Sequence, residues 1–221
     1  MNKKTVKTIA TCAFVGAVAT GCVGLALSAA GFKSATDEEL REPVARSFQT
    51  GEARKPDAAR GGDKLVGKWT SSAVSDTKIA LMKYERVLVQ SSTATQTYFF
   101  YGDGACRTLT VAAGGKETNW NGRYTYADGI LTITGPGGDG KEHSFSLKLL
   151  WYSDTEFEMR HADVATYEDM MRQAPNVKEV NCSYEMDGAF RTRMLIVADG
   201  MESVMTMIES PKIFDRDGDV D

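Results

Sequence analysis

Two histidines, four cysteines, one Gly-rich loop and one run of alternate aspartates are the groups in this 221-residue sequence with chemistry beyond packing. His143 follows the loop Gly135-Pro-Gly-Gly-Asp-Gly140 and His161 lies beyond a strand end, so both read as exposed turn residues. No Ser or Cys occupies a strand-turn-helix elbow where a base could activate it. The loop lacks the Lys-Ser/Thr pair and following helix of a phosphate cradle, and it reads as a turn. Asp215, Asp217, Asp219 and Asp221 could turn alternate carboxylates toward a hard cation. The run stops before a loop could supply its position-twelve glutamate, and no helix follows, so it reads as a solubilising acidic tail with no metal. No Cys-x-x-Cys spacing exists for zinc or redox work. Neither an enzyme nor a cofactor is expected.

The remaining chemistry lies at the N-terminus. Lys3, Lys4 and Lys7 precede an uncharged, mostly apolar run, as a secretory signal requires. Ala19-Thr20-Gly21-Cys22 resembles the lipobox of bacterial lipoproteins, with Ala19 where the usual leucine stands. The resemblance implies a diacylglyceryl group on Cys22, cleavage after Gly21, and a protein held on the membrane of the cell envelope. Two alternatives stay open. The 25 uncharged residues from Thr8 to Phe32 are long enough for an uncleaved transmembrane anchor, and Ser28-Ala29-Ala30 offers another cleavage site. All three put the body outside the cytoplasm.

With Met1 to Gly21 removed, 23 basic residues face 30 acidic ones, so a nucleic-acid partner is excluded for lack of a basic footprint. Cys12 goes with the signal and Cys22 with the lipid, leaving Cys106 and Cys182 in the exported body. An even pair in an oxidising compartment predicts a disulfide, with two separate buried thiols as the alternative.

These groups need elements to position them. The 42% hydrophobic and 25% charged fractions are ordinary globular values, and 21 glycines against 5 prolines favour tight turns. Lys33 to Asp63 is polar and nearly free of aromatics, and reads as a flexible tether; Thr36 and Glu39 have capping-box spacing for a short helix that Pro43 would end. From Leu65 the texture changes to short alternating segments separated by Gly and Asp turns. Phe145, Leu147, Leu149 and Trp151 share one face of a strand, as do Phe157 and Met159, and Leu131 and Ile133. A long antiparallel meander with one apolar face must pack or close, and the scarcity of helices favours a barrel. Ser75 to Gln90 fits strand or helix. Val164 to Gln173 predicts a helix stopped by Pro175, and three further strands follow it.

Leu65-Val66-Gly67-Lys68-Trp69, opening the meander, resembles the Gly-x-Trp first strand of lipocalins and related calycins. Tyr98-Phe99-Phe100 before Gly102-Asp103-Gly104, Gly122-Arg-Tyr-Thr-Tyr126 before Asp128-Gly129, and Phe157-Glu-Met-Arg160 resemble bacterial lipocalin-like domains over Lys64 to His161. The resemblance implies an all-β fold, an antiparallel barrel of 8–10 strands with one short helix. The expected organisation is a lipoprotein signal over 1–21, a tether over 22–63 and the barrel over 64–221. It further implies a cation–π contact from a late-strand arginine to Trp69, with Arg160 or Arg216 as the candidate, Arg216 being the better one if the strands after Pro175 complete the barrel. A small apolar or amphipathic ligand would lie among Trp69, Phe100, Tyr124, Tyr126 and Trp151. A filled barrel serving as a protein-interaction module is the alternative.

Overall fold

A computed structural model describes residues 31–220, apart from 52–53, 58–61, 138–139, 175 and 199. Cys22, the segment 1–21 and Asp221 lie outside the described residues. Among those described, no helix is long and apolar enough to cross a membrane.

Among the described residues the chain is all-β with two short α-helices: α1 (Asp37–Arg41) and α2 (Val164–Arg172). Strands run in the order β1 (Lys33–Ser34), β2 (Gly67–Leu81), β3 (Arg86–Phe100), β4 (Ala105–Val111), β5 (Glu117–Ala127) and β6 (Ile130–Pro136). They continue as β7 (Glu142–Ser153), β8 (Glu156–His161), β9 (Val177–Tyr184), β10 (Phe190–Ala198), β11 (Met201–Glu209) and β12 (Lys212–Gly218). The segment that fitted either period is strand, single 3-10 turn at Met82–Tyr84, and strand, so β2 and β3 form one long hairpin.

Two compact units result, and β2 and β3 contribute residues to both. One is a closed antiparallel barrel of eight strands, β2 to β8 in sequence order and then β12, which pairs with both β8 and β2. It takes in 51–73, 94–163 and 211–221. Closure follows from the alternation, because each strand turns its apolar row to the axis and no edge is left over. Of the strands after α2, only β12 enters the barrel.

The other unit joins the far halves of β2 and β3 to β1, β11, β10 and β9. Helix α2 lays Tyr167 and Met171 against Ile79, Leu81, Phe190, Met194 and Met205. Its side chains also reach β9, the outermost strand: Arg172 donates to the Val180 carbonyl, and the Glu168 carboxylate accepts from the Cys182 N–H. Such contacts occupy backbone groups that an edge strand would otherwise present to another chain.

The tether expectation is corrected over its first part. Residues 32–50 pack on this unit because they carry enough apolar and capping groups to hold a place there. Thr36 and Glu39 form the expected capping box, and α1 ends before Pro43. Leu40 packs with Ala80 and Val87, and Val44 with Ala189 and Ile208. Lys78, itself buried, donates to the Glu39 and Glu42 carbonyls at the C-terminal end of α1, where a cation also opposes the helix dipole. Buried Asp76 accepts from the Ser47 amide and hydroxyl, and Arg46 bridges Glu185 and Asp187.

The expected Cys106–Cys182 disulfide is likewise corrected: both are free thiols. Cys106 belongs to the barrel core, and Cys182 packs against the core of the other unit with Thr192 Oγ1 at 3.7 Å from its sulfur. Burial pushes both thiols up to about 11, so neither is a thiolate at neutral pH. Peptide mapping without reductant is expected to return both cysteines unlinked and unmodified by iodoacetamide in the native state, and alkylated after unfolding. A cross-linked 106–182 peptide would contradict this.

Candidate functional site

The barrel interior is the site that the fold builds, and it has two layers of different character. At the Gly-x-Trp end the space is filled by rings. Trp69 meets Trp151 at 5.6 Å and Phe157 at 4.6 Å between centroids, and Phe157 stacks on Phe214 at 5.5 Å. The chain of contacts continues from Phe214 to Tyr98, Phe100 and Tyr124. Trp69, Phe100, Phe157 and Phe214 have 0% of their surface accessible and Trp151 has 1%. A side chain with no accessible surface borders no space large enough for even a water, so this layer is sealed. Of the five residues expected to line a ligand, Trp69, Phe100 and Trp151 pack this plug. Tyr124 and Tyr126 are partly buried at its margin, their hydroxyls engaged with the Tyr101 carbonyl and the Trp151 indole N–H.

Arg216 stands over Trp69, its guanidinium carbon 5.8 Å from the ring, and donates to the Val66 carbonyl. Arg160 is instead on the outward face of β8, gripping Glu158 through two bonds. The reason for glycine in Gly-x-Trp is local. Gly67 has φ +141°, and a Cβ there would lie 3.0 Å from the Gly218 carbonyl and 3.4 Å from Arg216 Nε. Arg216→Ala is expected to cost roughly 0.5–2 kcal/mol in urea unfolding, with Arg216→Lys recovering part of it. Equal stability of all three proteins would show the contact to be idle.

The other layer is polar on one wall. Thr70–Thr97 and Ser72–Thr95 hydroxyl contacts on the outer face fix Ser71 opposite Gln96 on the inner face. Tyr98 is opposite Thr108, and Lys212, opposite Met159, is diagonal to His161 on the neighbouring strand. Ser71, Gln96, Tyr98, Thr108, His161 and Lys212 thus form one arc across the five adjacent strands β8, β12, β2, β3 and β4. Gln96 donates to the Tyr98 hydroxyl at 3.3 Å. Ser71 is 4% exposed, and its hydroxyl has no hydrogen-bond partner. The facing strands β6 and β7 supply Ile133, Phe145, Leu147 and Leu149.

His161 corrects the reading of an exposed turn residue, because it ends the inward row of β8. Burial, and then the Lys212 charge, pull its imidazole down to about 3, so it is neutral at physiological pH. Burial pushes the Tyr98 phenol up to about 12, with the Lys212 charge opposing. The acidic tail is engaged with neighbouring cations: Asp217 with Lys68 and Asp219 with Arg216, while Asp215 pairs in register with Thr70. Among the described residues no group of three or more His, Cys, Asp or Glu is placed to hold a metal ion.

Trp120 is the packing residue that the sequence reading missed. Its ring lies across Gly122 and Gly135, two glycines on neighbouring strands, and its N–H donates to the Pro136 carbonyl at 2.8 Å. The signal available was two glycines inside strand-patterned segments, which mark close approach of another group.

The fold and the two layers define a class: a small closed antiparallel barrel, plugged at one end, compatible with a lipocalin-like fold. No protein-family model matches the chain, and no curated protein matches it either.

Proposed function

We propose that this chain is an exported, lipid-anchored, non-catalytic protein whose lipocalin-like barrel holds a small amphipathic ligand in the layer beyond the aromatic plug. The observation that carries the reading is the change along the barrel axis. The rings of Trp69, Phe100, Phe157 and Phe214 have no accessible surface, whereas Gln96 and Thr108 are each 8% exposed, Leu147 is 7%, and His161 and Lys212 are partly exposed. A polar arc facing an apolar wall suits a ligand with both characters. Anchoring rests on Lys3, Lys4 and Lys7 before an uncharged run ending at Cys22. A second reading, an envelope interaction module with a filled barrel, is favoured by the seven rings in mutual contact.

Native mass spectrometry of the protein released from its membrane is expected to give a mass excess that vanishes on denaturation. Repeated recovery of bare protein would favour the interaction module. Cys22→Ser is expected to move the protein from the salt-washed membrane fraction to the soluble one. Undiminished retention would overturn lipid anchoring and support an uncleaved helix.

A further inference from the structure

We propose that, in the unit of β9, β10 and β11, the sheet face turned away from α2 is a protein-docking surface kept covered by residues 35–50. Its partner presents what this strap presents: a helix C-terminus for Lys78 and a hydroxyl or amide donor for Asp76. The proposal stands apart from the ligand reading of the barrel. Three observations carry it.

The first is the chemistry under the strap. β2 is buried on both faces from Ser75 to Leu81. Ile79 and Leu81 belong to the core beneath α2, and by alternation Asp76, Lys78 and Ala80 point the other way, where Leu40 packs on Ala80. Lys78 Nζ donates to the Glu42 carbonyl at 2.6 Å and to that of Glu39. Asp76 accepts from the Ser47 amide at 2.5 Å and from its hydroxyl at 2.7 Å. Both charges thus end on neutral groups of the strap. Such partners return little against the water that buried charges give up, but the charges reject any segment lacking an acceptor at Lys78 and a donor at Asp76. A cover that served packing alone would meet apolar side chains here.

The second is how thinly the strap is held. Of residues 35–50, Leu40 and Val44 alone are buried, at 6% and 4% exposure. Each sits in a small cluster separate from the core beneath α2. The remaining hold is a partly exposed clasp of Arg46 on Glu185 and Asp187, with Thr50 Oγ1 at 2.5 Å from Asp187. Partly exposed ion pairs hold weakly and are screened by salt. The strap can therefore lift while Ile79, Met194 and Met205 stay packed.

The third is how the strap ends. Upstream, Phe32 lies in the core beneath α2, and Lys33 and Ser34 pair with Val87 and Arg86. Downstream, Gly51 has open space where a side chain would be. A segment pinned at one end and jointed at the other lifts as a loop and returns as an intramolecular competitor for its own seat. Lifting bares Ala80, Val87, Ala189 and Ile208 around Asp76 and Lys78, an apolar patch with one charge of each sign.

The test uses the full chain and two readouts. In native-state hydrogen exchange, residues 35–50 are expected to be about a hundred-fold or more less protected than β10 and β11, with little urea dependence, as in local opening. Leu40→Ala should speed their exchange about ten-fold while leaving β10 and β11 unchanged. For occupancy in trans the probe is a synthetic peptide of residues 33–50. It should bind the Leu40→Ala/Val44→Ala protein about ten-fold or more tightly than the unaltered protein, whose own strap competes at high effective concentration. Adding Lys78→Met to that protein, or Ser47→Ala to the peptide, should weaken binding about ten-fold without changing β10 and β11 protection. Strap amides that share the protection and urea dependence of β10 and β11 would overturn the releasable cover. A peptide that fails to bind a protein whose strap exchanges freely would overturn the docking surface. Neither result bears on a ligand in the barrel.

Discussion

Trp69→Ala is expected to lower the unfolding free energy by about 3–5 kcal/mol, the usual cost of deleting a large buried ring. The ring has no accessible surface, meets Trp151 and Phe157, and donates from its indole nitrogen to the Leu65 carbonyl at 2.7 Å. Truncation removes all three contacts, leaves a cavity lined by rings that cannot collapse onto it, and strands the Leu65 carbonyl. Arg216 also loses the π-face beneath it. Trp69→Phe should recover part of the packing but not the hydrogen bond, giving an intermediate value. The measurement is urea unfolding followed by far-UV circular dichroism, since the fluorescence reporter is itself altered. A loss below about 1 kcal/mol would mean that this end of the barrel is loosely packed, which would reopen it to a ligand.

Gly122→Val should be comparably severe for the opposite reason, too much volume. A Cβ at Gly122 would lie 2.3 Å from Trp120 Cη2 and 2.5 Å from the Thr134 carbonyl oxygen. Overpacking of this kind costs about 1–3 kcal/mol or more, and here one of the two obstacles is backbone of the paired strand, which cannot move without disturbing the ladder. A double variant separates the two obstacles. Trp120→Ala combined with Gly122→Val should recover the ring part of the cost and none of the carbonyl part, so the rescue is partial. Full rescue would show that the Thr134 carbonyl yields, and no rescue would show that the ring already does. Gly135 repeats the geometry from the neighbouring strand, with its Cβ position 2.4 Å from Trp120 Cζ2. Gly135→Ala should therefore interact with Trp120→Ala in the same way.

Parts of this molecule could be read directly because they depend on residues near one another in the chain. Period-two alternation in β6, β7 and β8 marked the faces that became the core: Leu131, Ile133, Leu149, Trp151 and Phe157 are all inward and buried. The capping box at Thr36 and Glu39 needs only three residues of spacing, and α2 only a local helical period. The Arg216 contact with Trp69 was reachable through the resemblance, although the two residues belong to opposite ends of the meander.

The destination of β9, β10 and β11 was not reachable in this way. Each has the alternation of a barrel strand, but alternation gives a strand two faces and says nothing about which neighbour pairs with its edges. β11 pairs with the far half of β2, at Ser203 to Glu209, and the barrel is closed by β12 instead. Cysteine parity failed for a related reason. A disulfide requires two side chains to meet, and Cys106 and Cys182 were drawn into different apolar cores. Polar residues 32–50 looked like a tether because their partners, Asp76, Lys78, Glu185 and Asp187, are distant in sequence.

The sequence by itself determined the all-β class, the inward and outward faces of β6, β7 and most of β8, and the short helices, because all of these follow from dihedral preference and side-chain period within a few residues. Tertiary structure alone decided which strands close the barrel, that its Trp69 end is solid, and that Ser71, Tyr98, His161 and Lys212 come to share one wall. Those outcomes depend on pairing between strands separated by up to the length of the domain. Registers across β8, β12, β2, β3 and β4 convert residues that are unremarkable one at a time into a single polar arc.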